Sequence, residues 1–135
     1  HPMPLPASLS PILLGLLRIV TGLLFLQHGT AKLLGFPAVE MFAGGVSGLM
    51  LVAGLLELVG GALIVLGLLT RPVALVLSGE MAVAYVLAHA PQGFMPLLNG
   101  GELAALYAFV FLYVAAAGPG RFALDDRLGS RAVPA

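Results

Sequence analysis

The stretch SPILLGLLRIVTGLLFLQHGTAKLLGFP, residues 10–37, decides the fold. A hydrocarbon core of about 30 Å needs roughly 20 helical residues at 1.5 Å each, and the almost unbroken apolar run from Pro11 to Leu34 meets that length. Ser10 followed by Pro11 is a helix start, an N-cap and then a proline at the first helical position. Gly35-Phe36-Pro37 is the stop. No basic segment precedes the run, and it carries Arg18, His28 and Lys32, so it reads as a retained span and not as a cleaved leader. His1 and Pro2, ahead of Met3, are set aside as a remnant.

Three more segments of this kind follow. The second runs from about Leu49 to Leu69, the third from about Arg71 to His89 with Thr70 as its cap and Pro72 in its first turn, and the fourth opens at Asn99-Gly100-Gly101-Glu102 and ends near Ala117. A short amphipathic piece, Val39 to Phe42, lies between the first two, at the membrane interface. Of 135 residues, 60% are hydrophobic and 9% charged, outside the range of soluble domains, so the surface faces lipid. The expected fold class is therefore all-α, an integral membrane four-helix bundle. It divides into an N-terminal segment (1–10), a membrane domain (11–117) and a C-terminal tail (118–135). Arg71, Arg121, Arg127 and Arg131 gather on the side of the termini, which the positive-inside rule makes cytoplasmic.

Ionisable groups at membrane depth cost at least about 2.5 kcal/mol each, so they face a bundle interior and find partners. On the first helix Arg18, Thr21, Phe25, His28 and Lys32 recur at steps of three and four and share one face. Gln27 falls off that face, where it can pack against another helix. Glu57 sits mid-span on a stripe with Ala53, Gly60, Ile64 and Gly67, small residues that let another backbone approach and turn Glu57 inward. Glu80 on the third helix and Glu102 on the fourth complete three carboxylates against Arg18, Lys32 and a titratable His28. The candidate proton-transfer residues are Glu57, His28 and Glu102, and the candidate ligand contacts are Lys32, Arg18, Glu80, Asn99 and Gln27.

Each has a plainer reading as well. Glu102, three residues after Asn99, has capping-box spacing. Arg18 is either an ion-pair partner for Glu80 or snorkels to the cytoplasmic side. His89 lies about 180° around the helix from Glu80 and joins the cluster only if the helix unwinds before Pro91. Tyr85, Tyr107 and Tyr113 read as packing or interfacial residues.

Composition removes several chemistries. With no cysteine, the chain carries no disulfide, thiolate metal site or iron–sulfur cluster, and no haem ligand pair is evident. His28, Glu57, Glu80 and Glu102 are ligand types for a carboxylate-bridged metal, but the Glu-x-x-His spacing of such centres is absent, and no metal is expected. Six basic and six acidic residues cancel, so nucleic acid is not a partner.

Leu17-Arg18, Gln27-His28-Gly29 and Lys32 on the first helix, Gly54 to Gly61 around Glu57 on the second, Thr70-Arg71 with Glu80-Met81 on the third, and Asn99-Gly100-Gly101-Glu102 on the fourth resemble the DoxX family of small bacterial membrane proteins. Gly118-Pro119-Gly120 with Leu124-Asp125 fits the same pattern, so the likeness covers about residues 12 to 125. The segment between Pro37 and Leu49 is shorter than in the family. The resemblance implies a four-helix fold in the bacterial inner membrane. It also implies, from some members, association with oxidative-stress proteins or with thiosulfate and quinone oxidation; the cofactor stays unassigned, a quinone being the candidate.

Three functional classes stay open on the sequence. One is a membrane subunit of a quinone- or thiol-linked redox system, an oxidoreductase component in which His28 and Lys32 orient a headgroup and Glu57 moves protons for redox partner proteins. A second is a small-molecule binding or proton-coupled transport protein with Glu57 and Glu102 as ligand contacts. A third is a scaffold for partner proteins in the bilayer, with the buried charges fixing helix register; oligomeric assembly stays open under each of the three.

Overall fold

In the computed structural model, residues 4–132 are described, with side chains through residue 128; the side chain of Arg131 thus lies outside the described residues. The chain is helical along nearly its whole length. Helix α1 spans Ser10–Leu34, α2 Leu49–Leu66, α3 Thr70–Ala84, α4 the single turn Pro96–Asn99, α5 Glu102–Ala117 and α6 Leu124–Ala132. A 3-10 turn at Ala7–Leu9 leads into α1, and a second, Glu40–Phe42, forms the short piece expected between the first two spans. Past Ala84, α3 widens into a π-helical turn, Tyr85–His89, and then tightens to a 3-10 turn, Ala90–Gln92.

Three of these stretches are long and apolar enough to cross a membrane: Ala7–Leu34, Leu49–Leu66 and Thr70–Gln92. The fourth, α5, has 16 residues, or about 24 Å of helix, and α4 extends the chain at its loop end. Leucines and valines on α1 that point away from the bundle, among them Leu13, Leu16, Val20, Leu23 and Leu24, are all exposed, as lipid-facing side chains must be.

Packing is pairwise. Helix α1 lies along α2 and α3 along α5, and α2 with α3 joins the pairs. Gly29 of α1 is what lets the first pair close: a Cβ there would collide with the backbone of Leu58 and Glu57. Phe25, Ile64, Leu77, Phe111 and Val114 fill the centre, with Tyr107 and Met81 on the side of the loops. Phe25 meets Phe111 and Tyr107 edge-on, at centroid distances of 5.0 and 5.2 Å, an arrangement aromatic quadrupoles favour.

The helix starts differ from the expectation. Leu9 stands at the N-cap of α1 and Ser10 already belongs to the helix, without a side-chain cap. Thr70 does not cap α3 either. The cap comes from Asp125 of α6, whose carboxylate oxygens accept the N–H groups of Leu69 and Thr70 at 2.8 and 2.9 Å. Leu69 holds φ 53, unusual for a branched residue, and the carboxylate stabilises that turn.

Candidate functional site: an intramembrane charge cluster

Two of the candidate residues form the centre of the site. Lys32, in the last turn of α1, donates to Glu57 in the middle of α2, Nζ to Oε1 at 2.5 Å. The Lys32 side chain is 10% exposed and that of Glu57 2%, so the pair is nearly dry. The mutual attraction of the two charges in this dry setting offsets the cost of taking each out of water. The aromatic ring of Phe42, from the 3-10 turn beyond α1, lies 5.7 Å from Lys32 Nζ and roofs the pair.

Glu80 of α3 completes the cluster. Its carboxyl faces Lys32 and lies within hydrogen-bonding reach of the Glu57 carboxyl, and its two oxygens are buried with no N–H or hydroxyl donor bonded to them. His28, one helical turn from Lys32, lies within electrostatic range of the same two groups. Its ring stands edge-on to Tyr107 of α5, with centroids 6.0 Å apart. Tyr107 also lies within electrostatic range of Glu57. Four helices thus each contribute to one cluster of Lys32, Glu57, Glu80, His28 and Tyr107.

Tyr107 is the member that sequence reading missed. On the fourth helix Glu102, Leu106, Phe109 and Tyr113 form an exposed stripe; the buried stripe is Tyr107, Phe111 and Val114, at steps of four and three. Glu102 is exposed in the first turn of α5 and makes no ion pair among the described residues. Its capping box does not form, because the N-cap is Gly101 and no side chain caps it. Gln27 is exposed as well.

Arg18 corrects a further expectation, for it neither pairs with Glu80 nor snorkels. It is 0% exposed. Its guanidinium donates to four backbone carbonyls: Nε to Ile64 at 2.9 Å, Nη1 to Pro119 at 2.5 Å and Arg121 at 3.2 Å, and Nη2 to Phe122 at 2.8 Å. Asp125 and Asp126 provide the nearby negative charge. Arginine suits this task because its planar fork holds several donors in fixed directions. The chain after α5 is thereby folded back across the end of the bundle where α1 begins and α5 ends, and Gly15 is pressed against the Arg121 carbonyl.

At the opposite end Asn99 is buried within a polar knot. Its Nδ2 donates to Tyr85 Oη and the Gly93 carbonyl, each at 3.0 Å, and its Oδ1 accepts Gly101 N–H at 2.7 Å. The widened turn Tyr85–His89 brings His89 Nδ1 to 3.1 Å from the Asn99 carbonyl. The unwinding that His89 needed does occur, and it delivers the imidazole to this knot and not to Glu57. Among the described residues no three His, Asp or Glu side chains gather so as to hold a metal ion.

The fold and the cluster together define a polytopic membrane protein with a buried, partly paired set of carboxyl groups in its helical bundle. Residues 13–90 match the DoxX family, and the chain belongs to that family. It is 48% identical over 122 residues to a Haemophilus influenzae chain named only "Uncharacterized protein", covering 87% of this chain and 91% of that one. It is 33% identical to the Escherichia coli inner membrane protein YqjF, over 84% of this chain and 90% of the other. With a Bacillus subtilis protein named "Putative oxidoreductase CatD" the identity is 30%, over 82% of each chain. No solved structure matches.

Proposed function

We propose that this protein is the membrane-embedded, proton-handling component of a quinone- or thiol-linked redox system in the bacterial inner membrane, with both termini cytoplasmic. The observation that carries the reading is the stoichiometry of the cluster: one ammonium, Lys32, faces two carboxyl groups, Glu57 and Glu80, and only Glu57 is bonded to it. In a medium of low dielectric constant such a set is neutral when the two carboxyls hold one proton between them. A proton that either of two adjacent groups can carry is one that can be passed on. His28 and Tyr107 extend the set with two further groups able to donate and accept.

Without cysteine the chain stores no electrons. Oxidation of a quinol releases two electrons, which go to a partner's acceptor, and two protons; the carboxyl pair, already holding one proton, has room for one of these at a time and passes it on before taking the second. The oxidoreductase name of the B. subtilis relative supports this direction. A through-membrane transporter is less favoured, because the Arg18 knot and the layer of Phe25, Ile64 and Phe111 fill the bundle between the cluster and the terminal end.

The test uses membrane vesicles from cells lacking the chain, complemented with wild type, Glu57→Gln or Glu80→Gln at equal membrane levels. The wild type is expected to raise quinol-dependent oxygen uptake, and quinone depletion to remove that increment. Both variants should abolish it. Equal increments from all three proteins would sink the reading.

A further inference from the structure

Between α1 and α2 the chain runs outside the spans from Gly35 to Gly48, and in that stretch only Phe42 and Val46 are even partly buried. Its hydrogen bonds stay local: Phe42 N–H donates to the Val39 carbonyl, Ala43 N–H to Glu40 and Gly45 N–H to Phe42. Among the described residues no hydrogen bond ties residues 37–47 to another helix. At the two ends Gly35 holds φ 71 and Gly48 φ 62, conformations that glycine adopts without strain, and nothing lies within 4 Å of the point where a side chain would start. Few attachments and two open glycine ends are what a segment needs to swing as a unit.

The segment touches the charge cluster through one ring. Phe42 lies 5.7 Å from Lys32 Nζ, and beneath that ring the Lys32 side chain is 10% exposed and Glu57 2%. Toward the end where α1 begins, the same cluster is closed by the packed side chains of Phe25, Ile64 and Phe111, with the Arg18 guanidinium bonded to the Ile64 carbonyl behind them. The two closures differ in kind. One is a core, which opens only as the bundle unfolds; the other is a single side chain on a loosely attached loop.

We infer that residues 36–47 are a lid, hinged at Gly35 and Gly48, whose Phe42 admits or excludes water and ligand headgroups at Lys32 and Glu57 from the loop side alone. The inference rests on the cluster being the working site, but access is measurable without redox turnover, so failure of the lid and failure of the quinol reading are separate results.

Lys32 is the one lysine of the chain, so its acylation by a membrane-impermeant succinimidyl ester, read by peptide mass spectrometry, reports its exposure. The chain has no cysteine, so Ser47→Cys with an impermeant maleimide marks which face of sealed membrane vesicles carries the loops. Wild type is expected to acylate slowly at Lys32, and only with ester on the face where Ser47→Cys reacts. Phe42→Ala should acylate about tenfold faster from that face, the factor that partial burial of a phenyl ring supplies, with its melting temperature unchanged. Phe42→Leu keeps an apolar plug without the ring's attraction for the ammonium, and Met41→Ala trims a neighbour that is 78% exposed; both should stay near the wild-type rate. A Phe42→Ala rate equal to wild type, an acceleration that comes with a lower melting temperature, equal acylation from the two faces, or Phe42→Leu or Met41→Ala as fast as Phe42→Ala would each overturn the lid.

Discussion

Lys32 and Glu57 meet in the bundle interior, Nζ to Oε1 at 2.5 Å, at the level where Gly29 lets α1 close onto the backbone of α2. The ion pair and the close approach depend on each other, since a wider crossing would separate the charges and admit water. Lys32→Met should therefore lower stability by about 3 to 5 kcal/mol, the cost of stranding a buried charge. Lys32→Met combined with Glu57→Leu should recover most of that loss. Thermal unfolding in lipid discs reads both values, and a double variant as unstable as the single one would refute the coupling.

Arg18 predicts a different kind of failure. Its four acceptors are backbone carbonyls from α2 and from the chain after α5, and each carbonyl left unsatisfied costs about 1 to 3 kcal/mol. Arg18→Lys keeps the charge but not the fork, so it should also release residues 119–126. Limited proteolysis should show faster cleavage in that segment for Arg18→Lys than for wild type, and identical cleavage would contradict the assignment.

Asp125 gives a pH dependence. Burial alone would raise its pKa, but hydrogen bonds from Thr70 and Leu69, with the Arg18 charge, outweigh burial and hold it below the ordinary 3.8. A carboxyl whose folded pKa is depressed stabilises fully above its unfolded pKa and loses that contribution as pH falls through the folded value. Asp125→Ala should cost about 1 kcal/mol at neutral pH, the magnitude of a helix cap. The difference in melting temperature between the two proteins should shrink as pH drops below about 4. A difference independent of pH would mean that the carboxylate charge is not what caps α3.

Much of this was legible in the sequence, and what was not has a physical reason. Apolar runs of span length located the helices because lipid demands continuous hydrogen-bonded backbone. The small-residue stripe around Glu57 indicated that it faces inward, and the spacing of Arg18, Thr21, Phe25, His28 and Lys32 gave the inner face of α1. The roles of Arg18 and Asp125 were not legible, because their partners are backbone atoms brought in by the chain after the fourth span, and a backbone carbonyl leaves no mark in a sequence. Glu102 misled because a carboxylate within an apolar span was taken to face the bundle interior, whereas it sits exposed in the first turn of α5 and Tyr107, Phe111 and Val114 occupy the inner face. The widened turn Tyr85–His89 rotates His89 away from where straight-helix geometry puts it.

If Glu57 and Glu80 share a proton beside Lys32, as proposed, one buried carboxyl group is protonated at neutral pH. Infrared spectroscopy of the lipid-reconstituted protein at neutral pH, in H2O and in D2O, tests it directly through the C=O stretch of a protonated carboxyl group. One such band is expected in wild type, shifted by deuterium and absent from Glu80→Gln, in which Lys32 and Glu57 form a neutral pair without a proton. A wild-type spectrum lacking the band, or one that Glu80→Gln leaves unchanged, would contradict it.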